Sequence, residues 1–328
     1  MKKIGVLILL GAILVTMLSV ASCGHEHVFG DWIQSSPTSM YRTCTECGEV
    51  ETMAINNSST STDSTSHTYA SFSNFVDDCL VNGSTLTYNG QHNKLSISLG
   101  AANTTDSGEG KTIIIPSRVT EVQFVGLTSG SPVSNLKIKF EERVSDINLI
   151  FNDVRIESQD TIVLSESSNI NFNVKMLGSD CSFVVLGKGA DGANGKDGIT
   201  NDSAGVYGKN GSDGMSAFVI YGNVTIESQA THLAIKGGDG GNGGAGGHIA
   251  TSKAPSGGNG GNGADAVRGE NVAKLIVAEN CTADISGGAG GIGGAGGKSD
   301  AGYWGSNRTG KTGDNGSNGT SGCDITYK

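Results

Sequence analysis

Proline and aromatic side chains are scarce: the 328-residue chain holds 4 Pro, and Phe, Trp and Tyr make up 5% of it. Collagen-type repeats need Pro beside Gly, so that class is excluded, and the non-repetitive first half excludes it again. Basic residues are also short, with Lys+Arg 22 against Asp+Glu 32 and a net charge of −10. Nucleic-acid binding calls for basic patches, and no nucleic-acid partner is expected. Long apolar runs are confined to residues 4–18. Helical periodicity is almost absent from residue 72 onward. What abounds is glycine, 52 residues of 328, roughly twice the average content.

The N-terminus reads as an address. Lys2 and Lys3 precede the apolar run, which has signal-peptide length and is short for a membrane span. Val20-Ala21-Ser22-Cys23 follows and resembles the lipobox of bacterial lipoproteins. That resemblance implies removal of residues 1–22, a lipid on Cys23 and a bilayer as partner. The expected location is the extracytoplasmic side of the envelope, on the cell membrane or the outer membrane.

Residues 23–53 form a small Cys/His module. Cys44-Thr-Glu-Cys47-Gly is a knuckle that sets two thiolates on one metal, and His25 and His27 could complete a tetrahedral zinc site. A Cys44–Cys47 disulfide and a pair of free thiols are the alternatives. The segment is similar to a short His-x-Phe, Trp, Cys-x-x-Cys-Gly module of bacterial surface proteins. Residues 54–71, rich in Ser and Thr, cannot bury a core and read as a linker.

The body, 72–328, carries a repeat. Val154-Arg-Ile-Glu-Ser-Gln-Asp-Thr161 matches Val224-Thr-Ile-Glu-Ser-Gln-Ala-Thr231 at six of eight positions. Segments starting at 174 and 274 share the pattern, which gives spacings of 20, 50 and 50. Alternating strands follow each, and Thr112-Ile-Ile-Ile-Pro116 and Leu136-Lys-Ile-Lys-Phe140 read as earlier strands. Short strands at a spacing near 20 predict an all-β fold, a right-handed parallel β-helix (solenoid), with an antiparallel sandwich as the alternative. Cys281 and Cys323 then fall one coil apart and are a candidate disulfide.

The extra residues lie at 187–214, 237–263 and 287–322, each an out-and-back pair of segments with Gly at every third position. That period is the polyproline-II period, and Gly on one edge lets backbones approach and bond. A polyglycine-II bundle flanking the β-helix is expected. In pattern, residues 187–322 resemble the glycine-rich adhesin tips of some tailed bacteriophages and the glycine-rich antifreeze proteins of some arthropods. The resemblance implies a rigid bundle presenting loops, and it carries no ligand across. Residues 112–126 also resemble one unit of the surface leucine-rich repeats of anaerobes, over a short stretch.

Polysaccharide lyases and hydrolases on β-helices need clustered Asp, Arg or Lys on one face. Here those residues are scattered, and Asp191, Asp197, Asp213 and Asp239 lie in glycine turns. The expected role is therefore non-enzymatic: surface binding or adhesion to glycans or proteins. A purely structural envelope component and a polysaccharide-active enzyme are the alternatives. The candidate contact loops are 199–204, 248–256 and 298–309, the last with Tyr303, Trp304 and Arg308. No cofactor is expected beyond zinc at the Cys/His module.

Overall fold

Alternation of apolar and polar residues sets nearly every element of the body, as in the computed structural model of the chain. The structure describes residues 28, 33–36, 39–54, 66–100, 104, 106–127, 131–195, 207–249, 254–269, 273–299 and 308–328. The chain divides into two compact units, Met1–Asp63 and Ser64–Lys328. In the first, β1 (Ile33–Ser36), β2 (Ser39–Thr43) and β3 (Val50–Ala54) form an antiparallel sheet.

The second unit opens with β4 (Ser66–Tyr69), inside the stretch expected as a linker, and the helix α1 (Phe72–Asp77). The Ser71 hydroxyl caps α1 by accepting from the Asn74 N–H, and Phe72 and Phe75 enter the core. Then come β5 (Cys79–Asn82), β6 (Thr85–Tyr88), β7 (Lys94–Ser98), β8 (Thr112–Ile115) and β9 (Glu121–Val125). β10 (Val133–Ser134), β11 (Lys137–Phe140), β12 (Ile147–Asn152) and β13 (Arg155–Ser158) follow. β14 (Val163–Ser165), β15 (Asn171–Leu177) and β16 (Asp180–Val185) lead to the first glycine stretch. Beyond it lie β17 (Phe218–Ile220), β18 (Asn223–Ser228) and β19 (His232–Lys236). Beyond the second stretch lie β20 (Val267–Gly269), β21 (Ala273–Val277) and β22 (Thr282–Ser286). The third stretch holds β23 (Lys298–Ser299) and β24 (Arg308–Thr309), and β25 (Cys323–Tyr327) follows it.

These strands sort into separate sheets. An eight-stranded parallel sheet runs β25-β21-β18-β15-β12-β9-β7-β4, and a five-stranded parallel sheet runs β10-β13-β16-β19-β22. A seven-stranded sheet runs β20-β17-β14-β11-β8-β6-β5 and is mixed, because β5 and β6 are antiparallel. β23 and β24 make a two-stranded antiparallel sheet.

The expected fold class, a right-handed parallel β-helix with a flanking polyglycine-II bundle, is corrected by this topology. Among the described residues the second unit is a multi-sheet, mostly parallel assembly with one short helix, and its sheets have unequal strand numbers. A uniform coil has no place for the reversal between β5 and β6, which turns through Gly83 at φ +60°. Nor do the repeats match in the expected way. The look-alikes 154–161 and 224–231 hold β13 and β18, which belong to different sheets. In the eight-stranded sheet the opposed series Val122, Leu149, Val174, Ile226, Leu275, Ile325 advances by 27, 25, 52, 49 and 50 residues, so the short step is near 25.

Inward residues of the three large sheets make one apolar core. Its middle is aromatic: ring centroids of Phe151 and Phe183 lie 4.7 Å apart, and those of Phe183 and Phe218 5.2 Å apart. One cation is buried beside it. Arg143 donates to the carbonyls of Val119 (2.9 Å) and Pro116 (3.0 Å) and lies 5.2 Å over the Phe140 ring. Burial lowers its pKa to about 10.

Candidate functional site

Gly at every third position is explained by what surrounds it. A Cβ on Gly291 would come under 3.0 Å to the Gly241 carbonyl, and one on Gly244 would do the same at Ala193. In return, backbones bond directly. The N–H of Gly189, Gly192 and Gly195 donate to the carbonyls of Asp239, Asn242 and Ala245. Gly240, Gly243 and Gly246 donate in the same way to Ala289, Ile292 and Ala295. Across the out-and-back pairs, Ser212 donates to Ala190, Gly261 to Gly241, and Gly316 to Gly291. The six segments thus form two rows of three, with 189–195, 237–246 and 287–296 in one and 208–214, 257–263 and 310–322 in the other.

Residue type tracks position in these rows. Segment 237–246 bonds to four others and has Gly at two positions of each triplet. Segments 189–195 and 310–322 bond to two others and have Gly at one. The third position is often Asp or Asn, and its oxygen accepts from the next segment's backbone. Asp191 accepts from the Asn242 N–H (2.6 Å), Asp239 from Ala289 (2.7 Å) and Asn242 from Ile292 (2.9 Å). On the other row Asp213 accepts from Asn262 and Asn262 from Ser317. Asp191, Asp213 and Asp239 therefore hold backbone N–H groups, while Asp197 lies outside the described residues. The bonds from Lys188 and from the Asn242 N–H keep Asp191 below the usual carboxylate range.

The described ends of the three reversals are bonded to one another. Gly195 donates to Ala245 and Gly208 to Ser256. Ile249 pairs with Ser299, and Ser299 lies opposite Arg308, whose side chain is exposed. The ends of loops 248–256 and 298–309 are thereby joined. Tyr303, Trp304 and loop 199–204 lie outside the described residues.

At the Cys/His module, Cys44 and Cys47 flank a tight turn. The Gly48 N–H donates to the Cys44 carbonyl (3.0 Å), Cys44 donates to Glu49 (2.7 Å), and Gly48 adopts φ +74°. Cys44 is buried, Cys47 is exposed, and no disulfide joins them. A backbone hydrogen bond at Glu49 favours the Cys47 thiolate, but desolvation and the Cys44 side chain outweigh it and raise the thiol's pKa. Cys23, His25 and His27 lie outside the described residues. Among the described residues no group of three or more His, Cys, Asp or Glu is placed to hold a metal, and no helix is long and apolar enough to cross a membrane.

Cys281 and Cys323, the candidate disulfide, are unlinked in the structure. Cys323 opens β25 opposite Ala273 of the eight-stranded sheet, whereas Cys281 precedes β22 of the five-stranded sheet, 3.6 Å from the Ser228 hydroxyl.

One cluster carried no signal in the sequence. His67 and His92 stack with centroids 4.6 Å apart, and the Tyr69 hydroxyl donates to Asp78 at 2.6 Å. His67 and His92 come together because β4 pairs with β7, and Asp78 reaches Tyr69 from the C-cap of α1. Burial first, and the Asp78 bond second, push the Tyr69 hydroxyl far above its ordinary pKa. No family model matches the chain, and neither a curated protein nor a solved structure matches it.

Proposed function

We propose that the protein is an envelope lipoprotein, anchored through Cys23, that binds a surface glycan or protein without catalysis. The loops at the turning end of its glycine segments make the contact. The observation that carries this is the joining of 248–256 to 298–309 through Ile249, Ser299 and Arg308. Loops on a rigid scaffold are the usual place for recognition, and the backbone and Asx bonds supply that scaffold. Arg308 is exposed there, and Arg and aromatic side chains dominate binding contacts. Asp191, Asp213 and Asp239 are engaged by backbone N–H groups, which supports binding over carboxylate chemistry.

The test is binding of the full chain to glycan arrays and whole cells, beside a variant lacking 298–309 and an Arg308→Ala variant. Saturable binding that the deletion abolishes and Arg308→Ala weakens is the expected result. Binding that survives the deletion overturns the loop assignment. A folded chain that binds no cell and no glycan points to a purely structural envelope component.

A further inference from the structure

The two ends of the parallel sheets are finished differently. At one end α1 lays Phe72 and Phe75 into the core, fully or almost fully buried. At the other, three strands come last, β20, β22 and β25. The edge of β20 is covered: Ala266 and Val267 donate to the carbonyls of Thr320 and Ser321. The outer edge of the last glycine layer is covered as well, by Asn315 and Asn318, which accept from Gly293 and Gly290. β25 has no such cover. Among the described residues it pairs only with β21. Its inward-register residues Ile325 and Tyr327 are 38% and 61% exposed, while their counterparts Leu275 and Val277 one strand earlier are fully buried.

The free edge of β25 is also polarised. Lys328 donates to the Val277 carbonyl and accepts from Glu279. In a parallel pair the two backbone groups of one residue face the same side, and the side alternates along the strand. The N–H and C=O of Cys323, Ile325 and Tyr327 therefore point to the open edge. An open edge with apolar residues is a template for another strand.

We infer that this edge joins a second copy of the chain, β25 to β25, antiparallel. The sequence of the strand is self-complementary in that arrangement. With the two-fold axis at Thr326, Ile325 of one protomer faces Tyr327 of the other, and the two exchange both backbone bonds. Asp324 faces Lys328 on the opposite, polar side, twice by symmetry. The exposed apolar pair is thus covered by an identical pair, and each acid meets a base. Such an isologous contact closes as a dimer and satisfies the β25 edge in both protomers.

The test uses the full chain in mild detergent, with mass photometry, sedimentation and amide hydrogen exchange. A dimer is expected, with the Ile325 and Tyr327 amides protected. Asp324→Lys places like charges opposite each other in two places and should raise the dimer Kd about tenfold. The double swap Asp324→Lys with Lys328→Asp should restore the dimer. Both side chains are outside the core, and unchanged circular dichroism shows that the variants fold. A monomer at every concentration overturns the inference. So does a dimer indifferent to Asp324→Lys, a loss that the double swap leaves unrepaired, or exchange at Ile325 and Tyr327 as fast as in an open strand.

Discussion

The side-chain oxygen of Asn318 accepts a hydrogen bond from the backbone N–H of Gly290 at 2.9 Å, and Asn315 does the same for Gly293. One layer earlier the corresponding N–H groups of Gly240 and Gly243 donate to the carbonyls of Ala289 and Ile292. The asparagines therefore stand in for a layer that is not there. Replacing Asn315 and Asn318 with Ala should lower stability by about 1 kcal/mol each. Amide exchange at Gly290 and Gly293 should accelerate, while that at Gly240 and Gly243 stays slow.

Gly291→Ala should destabilise by at least about 2 kcal/mol, because its Cβ meets the backbone of Gly241, which has no side chain to move aside. Ala289→Ser, at an exposed position of the same segment, should change stability by under about 0.5 kcal/mol. Chemical unfolding of the two variants checks the contrast.

Thiol labelling should follow exposure. Cys47 is exposed and should react first with an alkylating reagent. Cys181 is buried, its thiol donates to the Leu177 carbonyl, and burial pushes its pKa to about 11, so it should label only on unfolding. Cys281, also buried, should follow Cys181. Mass spectrometry without reductant should find Cys281 and Cys323 unlinked.

Acid should weaken the fold. Asp146 sits below the ordinary carboxylate range because the Asn171 side chain and N–H bond to it. For Asp160, desolvation works the other way, but the bonds from Lys137 and the Thr161 N–H prevail and lower it too. A depressed folded pKa contributes stability that is present above the unfolded value, about 3.9, and is lost as pH falls through the folded one. The melting temperature should therefore be level near pH 5 to 7 and fall below about pH 4. Asp146→Asn should flatten that fall.

Strand existence was legible in alternation: Thr112-Ile-Ile-Ile became β8 and Lys137-Ile-Lys-Phe became β11. Close backbone approach was legible in the glycine triplets. The segments bonded to four others, 237–246 and 257–263, carry two glycines per triplet, while those bonded to two, 189–195 and 310–322, carry one. Sheet membership was not. A pattern such as Val-x-Ile-x-Ser states which side chains point inward and nothing about which strand lies alongside, so 154–161 and 224–231 look alike in different sheets. The 20-residue spacing was one such coincidence, and the antiparallel β5–β6 turn had no counterpart in the repeat. At the candidate site, the joining of the ends of 248–256 and 298–309 followed from the out-and-back pattern. The stacked His67 and His92 did not, because their 25-residue separation becomes proximity only through the β4–β7 ladder.

From Val174 onward the step between opposed residues roughly doubles, to 52, 49 and 50 residues, because every turn through the sheets now carries a glycine arm. A tandem duplication of such a fifty-residue stretch would lengthen all three sheets and both glycine rows in one genetic event. Inserted ahead of residue 287 it would copy partners that already fit each other. Inserted after 287 it would bury Asn315 and Asn318 where glycine is required, so the chain can gain length from within but is closed to growth at that margin.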